Sequence, residues 1–334
     1  LHLSIRRQRQ MCIRDSTAGA LLLLLGCSKA VSEKQVEENT AEATTRRCAS
    51  YEVLQAKLKE DPSLQKRMDE IEKFTARYMQ SPAAYRVLAD GNLEVPVVVN
   101  VLYNTTAQNV SDAQIQTQID VLNADFGGTN TDLNLTTAFN NVKFTSTRTL
   151  PKIRFVLAAT NRKFTTNTSW GTTDAMKRSS SGGIDATTPT TTLNMWVCNM
   201  SGGILGYAQF PGGTAATDGI VCDDNAFGTI GSAAAPFNKG RTATHEVGHY
   251  FNLRHIWGDR RCGDDFVGDT PAHTGSNTGC PAANTRSSCS GRPVMMTMNY
   301  MDYTNDACMY MFSVGQVQRM NATWASGGPR ASLR

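Results

Sequence analysis

The amino-acid sequence predicts an α+β fold, and three observations carry that prediction. One strand-helix-strand unit is followed by further short strands and then a single helix, the order of a mixed layered domain. Apolar periodicity then nearly vanishes beyond position 255 until a last helical stretch at residues 314–324. Four of the nine cysteines cluster in the last third, between residues 262 and 308, so disulfides are expected to order what hydrophobic pattern does not.

Composition sets the outer limits. The 334 residues, 40% hydrophobic and 19% charged, can bury an ordinary core and read as two compact units. Thirty-three basic against 29 acidic side chains, with no run of more than two consecutive Lys or Arg in the folded part, leave no footprint for nucleic acid. The longest apolar run, residues 18–25, falls short of the roughly 20 needed to cross a bilayer as a helix, which excludes a polytopic membrane protein.

Residues 1–30 read as a lipoprotein-type signal: Arg14, a leucine core, then Leu24-Leu25-Gly26 before Cys27, the residue that would carry the lipid. An ordinary secretory signal is the alternative, and the start up to Ser16 reads as upstream sequence. Either way the location is extracytoplasmic, secreted or lipid-anchored, with membrane contact only through an acylated Cys27. Residues 31–50 are a polar linker containing Cys48 between Arg47 and Ala49.

Residues 51–92 hold Val53, Leu54, Leu58, Leu64, Met68, Ile71 and Phe74 at helical spacing, broken at Asp61-Pro62, which predicts two amphipathic helices. The body, residues 93–334, opens on the β-branched run VPVVVNVLY from Val95, a buried strand. Ser111 caps a helix carrying Ile115, Ile119, Leu122 and Phe126, and strands follow at 152–157, 193–198 and 219–222. Gly and Pro clusters at 202–203 and 211–213, and the Thr/Ser/Gly-rich stretch 165–192, mark loops. Nine of ten glutamates lie at or before Glu94, and the only one in the body is Glu246, between two histidines.

The segment THEVGHYFNLRH, residues 244–255, carries the chemistry. His245 and His249, four apart on a helix, project from one face and can both reach a Zn²⁺, while Glu246 can reach its water without binding the metal. His255 can join them only if the chain turns sharply near Asn252. Three of five histidines fall within these eleven positions, a spacing expected by chance in well under about one in a thousand such chains. Three imidazoles leave zinc an open position for water, with Glu246 as general base.

HEVGHYFNLRHIWGD, with the later MNYMDY at residues 298–303, resembles the metzincin clan of zinc peptidases and specifically its pappalysin family, of which ulilysin is a prokaryotic example. The resemblance spans residues 95–324. It implies a metzincin-type fold, with a mixed twisted sheet and active-site helix in an N-terminal subdomain and an irregular, disulfide-stapled C-terminal subdomain. It also implies a zinc endopeptidase acting on proteins or peptides, Met301 as the turn beneath the zinc ligands, and Tyr303 beside the oxyanion. The clan has Gly where this chain has Asn252, the non-glycine residue that best tolerates a positive φ.

The strand around residues 203–210 is expected to edge the cleft and pair with substrate backbone. The family implies cleavage before Arg where an acidic residue lies at the pocket base, and Asp302 and Asp306 are near. It further implies disulfides Cys262–Cys289 and Cys280–Cys308, although six body cysteines allow 15 pairings by counting. Cys198 and Cys222 read as buried thiols or a third bridge, and a four-cysteine zinc knuckle is the alternative for the rest. The Asp-rich loop 259–270 suits Ca²⁺, with Asp265, Asp269 and Thr270 as ligands.

By resemblance to family proenzymes, Cys48 would fill the open zinc position in a latent form, its neighbouring arginines favouring the thiolate. Residues 51–79 would then cover the cleft, and cleavage within 83–91, at Tyr85-Arg86, would release it. Two other readings compete: a surface lipoprotein using the same fold only for binding, and a zinc hydrolase acting on a non-peptide amide.

Overall fold

The β-branched run becomes the strand β1, Leu93–Tyr103, and its neighbours set the layers. The structure is a computed structural model, and it describes residues 44–81 and 92–333. The signal with Cys27, the linker before residue 44 and the expected cleavage site at Tyr85-Arg86 lie outside the described residues.

Five strands form one sheet in the order β2-β1-β3-β5-β4, where β2 is Ile153–Phe164, β3 Leu193–Cys198, β4 Gly206–Ala208 and β5 Ile220–Asp223. The first four run parallel and β4 is antiparallel to β5, so β4 is an edge. In β3, Leu193, Met195 and Val197 enter the main core while Trp196 and Cys198 enter a smaller cluster on the opposite face. Both faces are covered, as the period-2 alternation requires of a parallel sheet. β2 runs seven residues beyond the expected 157 because it pairs with β1 to Phe164 while facing solvent, so its polar half carries no hydrophobic signal.

Helix α3, Asp112–Gly127, crosses between β1 and β2, capped by Ser111, whose hydroxyl accepts from Gln114 N at 3.1 Å. Helix α4, Arg241–Tyr250, lies in the main core and carries the histidine motif. Beyond it the chain is mostly irregular until α5, Val314–Trp324, which Ser313 and Gln316 start with a capping box. Disulfides Cys262–Cys289 and Cys280–Cys308 staple this half. That pairing leaves only three free thiols among the described residues, too few for a four-cysteine zinc knuckle. Cys198 and Cys222 are free and buried; Val197 pairs with Cys222 across β3 and β5, so the two thiols point to opposite faces and do not bridge.

The two expected helices of the leader are α1, Ser50–Glu60, and α2, Ser63–Gln80. Asp61 accepts from Ser63 N at 3.0 Å, with Pro62 entering the first turn. Leu54, Leu64 and Met68 close over Phe210, and Tyr78 packs on Ala322 and Ala325 of α5. Among the described residues, no helix is long and apolar enough to cross a membrane.

Candidate active site

The end of α4 is what brings three histidines together. Asn252 takes φ 71°, Leu253 N bonds Gly248 O at 2.9 Å and Asn252 N bonds His249 O at 2.9 Å, a Schellman closure that turns the chain back. His255 thereby returns to the face shown by His245 and His249. Gly248 permits the approach beneath: a Cβ there would lie 2.5 Å from the sulfur of Met301, which is fully buried under the helix. Met301 O in turn accepts from Ile256 N at 3.1 Å, tying that turn to the histidine loop.

Each imidazole is oriented from behind. His245 Nδ1 lies 2.6 Å from Tyr300 O, His249 Nδ1 lies 2.8 Å from Leu253 O, and His255 Nδ1 contacts the Asp259 carboxylate. Carbonyl and carboxylate oxygens only accept, so the proton sits on each Nδ1 and each Nε2 presents a lone pair. Those lone-pair nitrogens nonetheless stand 3.2 Å (His249 to His245) and 3.1 Å (His249 to His255) apart. Facing lone pairs repel unless a cation lies among them, and ligands at about 2.0–2.1 Å around tetrahedral Zn²⁺ would be separated by roughly 3.3 Å. The residues therefore fit zinc. Burial and the neighbouring imidazoles hold His245 and His249 well below the usual histidine range, in the neutral form a metal needs.

A fourth donor comes from the leader. Cys48 Sγ and the three histidine nitrogens all lie within 4.8 Å of one another, the one such group among the described residues. Cys48 pairs in parallel with Gly206 of β4, with Leu205 N bonding Arg47 O at 2.9 Å and Ala49 N bonding Gly206 O at 3.0 Å. Its thiol lies 3.4 Å from Glu246 Oε2, and Tyr303 donates to Cys48 O at 3.0 Å. Burial, then the Glu246 charge, push that thiol up. The arginines expected to favour its thiolate do not face it: Arg47 bonds Gly202 O at 2.8 Å, and Arg46 turns into a buried pocket.

Glu246 is buried and pushed up to about 7, chiefly by desolvation. Ser50 donates to its Oε2 at 2.8 Å and accepts from Ala208 N at 2.8 Å, so one leader hydroxyl joins that carboxylate to the sheet edge. Gly206 clears the space, since a Cβ there would sit 2.7 Å from Val221 O and 3.0 Å from Glu246 Cγ. Arg46 reaches Asp306, Thr304 O at 3.2 Å and Thr242 Oγ1 at 3.0 Å. Asp306, not Asp302, is thus the carboxylate in that pocket; Asp302 is occupied by Asn277 N at 2.8 Å and Asn277 Nδ2 at 2.7 Å.

Two of the three expected calcium residues meet and the third turns away. Asp265 accepts from Thr270 Oγ1 at 2.9 Å, whereas Asp269 faces the start of α5, accepting from Ser313 Oγ at 2.6 Å and Gly315 N at 2.8 Å. Asp259, at the head of that loop, serves His255 instead. Sequence reasoning missed Arg46, Ser50 and Asp259. Only Asp259 carried a signal, lying four residues after a histidine ligand.

The profile of peptidase family M43, described as pregnancy-associated plasma protein-A, matches residues 189–325. An extracellular metalloprotease of Verticillium alfalfae is 35% identical over 69% of this chain and 78% of its own, and one of Coccidioides posadasii is 33% identical over 71% and 80%. Among solved structures, mature mirolysin of Tannerella forsythia with a cleaved peptide superposes at TM-score 0.68 and 43% identity, covering 72% of this chain and 95% of its own. A promirolysin mutant of the same organism gives TM-score 0.76 at 38% identity, covering 86% and 97%. The proenzyme thus matches more of this chain than the mature enzyme does, and the expected fold with its disulfide-stapled C-terminal half agrees with these likenesses. The chain belongs to the pappalysin family of metzincin metallopeptidases, and it is a zinc metalloendopeptidase.

Proposed function

We propose that the chain is the latent form of an extracytoplasmic endopeptidase, held inactive by residues 46–50 and activated by cleavage between the leader and the body. The observation that carries the reading is the placement of two leader side chains on the chemistry itself: Cys48 among the histidine nitrogens and Ser50 on Glu246. His245, His249 and His255 would hold zinc, which when bound polarises a peptide carbonyl and acidifies water. Cys48 would complete the coordination only in the latent form.

Once Ser50 and Cys48 leave, the Glu246 carboxylate is free to accept the proton of the attacking water and pass it to the departing amine. Tyr303, whose hydroxyl is now taken by Cys48 O, would turn to the developing oxyanion. The backbone of β4 that pairs with residues 47–49 would pair with substrate instead. Arg46 on buried Asp306 supports a preference for arginine after the cleaved bond. Calcium at Asp265, Asp269 and Thr270 has narrower support, because Asp269 is engaged at α5.

For location, the relatives named extracellular metalloproteases support export, with Cys27 as the site of any lipid. The test is digestion of a mixed peptide library by the processed chain, with and without chelator, beside Glu246→Ala. Loss of cleavage with zinc retained supports the enzyme; a protein that cleaves nothing yet binds peptides equally well as wild type and Glu246→Ala would support a binding module.

A further inference from the structure

We infer that the seat now filled by Glu72 of the leader, made by Asn252, Arg254 and Arg319 beside Phe210, is a subsite of the active enzyme for an acidic side chain of the substrate, on the N-terminal side of the cleaved bond. The inference rests on the proposed latency, in which α2 leaves the cleft.

The seat is built by the body. Glu72 Oε1 accepts from Arg319 Nη2 and, at 3.2 Å, from Asn252 Nδ2. Arg319 is only 2% exposed, and its Nε donates to Asn252 O at 2.8 Å, so the guanidinium is locked onto the histidine-loop turn whether or not Glu72 is present. Its other side faces the Phe266 ring, 5.5 Å from the centroid. Arg254, one residue before His255, lies over Phe210 at 4.7 Å, and its buried Nε has no hydrogen-bond partner. Glu72 is the first of the opposite charges acting on Arg254, ahead of Asp259, which is already engaged by His255.

Departure of α2 therefore leaves the fixed Arg319 guanidinium and the Asn252 amide without the carboxylate they share, next to the Arg254 guanidinium, whose Nε already has no partner. Leu64 and Met68 leave with it and uncover Phe210. The result is a partly desolvated cationic seat on an aromatic wall, the environment in which an Arg–carboxylate pair is strongest.

Its position in the cleft follows from the leader strand. Phe210 stands 5.2 Å, ring to ring, from His249, so the seat borders the metal site. Arg46 marks one end of the cleft at Asp306, and the chain runs past Gly206 and Ala208 toward Phe210 at the other. With arginine after the cleaved bond at the Asp306 end, residues before that bond lie toward Phe210. Four residue steps from Gly206 at the start of β4 through Ala208 to Phe210 span up to about 13 Å, which places the seat opposite roughly the third or fourth residue before the bond.

The experiment uses the full zinc-loaded chain, processed by limited proteolysis and freed of its leader by gel filtration. Peptides that differ only by Glu or Gln at each of four positions before a single arginine are compared by kcat/KM on the wild type and by fluorescence-anisotropy Kd on the equally processed Glu246→Gln protein. Glutamate at the third or fourth position should be favoured about tenfold in both readouts. The ratio should fall to about one in Arg254→Gln and in Arg319→Gln, and as a ratio within each protein it is insensitive to partial misfolding. Equal values for Glu and Gln at every position, or a preference that survives both substitutions, would overturn the subsite. Preferential binding of the glutamate peptide without any cleavage would keep the subsite and reject the peptidase reading.

Discussion

Residues 46–50 and the helices α1 and α2 lie on the same cleft and hold it by different physics. The short segment places Arg46, Cys48 and Ser50, all buried, on Asp306, on the histidine nitrogens and on Glu246. The helices contribute apolar contacts through Leu54, Leu64 and Met68, ion pairs from Lys57 to buried Asp174 and from Glu72 to buried Arg319, and an exposed fringe such as Arg67 with Asp61. Buried polar bonds are costly to leave half-made, whereas exposed ion pairs contribute little. Contact with the histidine nitrogens, Glu246 and Asp306 is therefore concentrated in five residues, and the helices anchor those residues beside the cleft.

That contrast can be broken by substitution. Cys48→Ala should have the largest effect, raising peptide cleavage by the unprocessed chain about tenfold or more over wild type; an unprocessed variant as silent as wild type would shift the blocking role to the helices. Ser50→Ala comes next. It leaves Ala208 N and a buried Glu246 oxygen without their shared partner, weakening the leader's hold by about 1–3 kcal/mol, visible as faster activation by added protease. Arg67→Ala should be smallest, changing the activation rate by less than about twofold although it loses a bond to Gly212 O as well as Asp61. A larger effect at Arg67 than at Ser50 would invert the contrast.

The same division governs what could be read from sequence. The histidine cluster was legible because helical spacing alone puts His245 and His249 on one face, and Asn252 was legible as a turn because few residues tolerate its φ of 71°. Strand β3 and helix α5 fell where expected because a short apolar run and a returning helical periodicity are local signals. Helix α4 begins at Arg241, three residues ahead of the segment 244–255 that carries the chemistry, because its first turn buries polar side chains that meet distant partners: Arg241 reaches Tyr300 Oη at 2.7 Å and Thr242 receives Arg46 at 3.0 Å. Arg46 and Ser50 were illegible for the same reason. Their roles exist only across separations of about two hundred residues, and no local pattern records which carboxylate a lone Arg or Ser will meet.

Zinc K-edge X-ray absorption of the unprocessed chain tests the central claim most directly. The account predicts one metal per chain with a single sulfur at about 2.3 Å and three nitrogens at about 2.0–2.1 Å, the sulfur vanishing in Cys48→Ser and on activation. A zinc shell lacking sulfur in the unprocessed wild type, or one unchanged by Cys48→Ser, would contradict it.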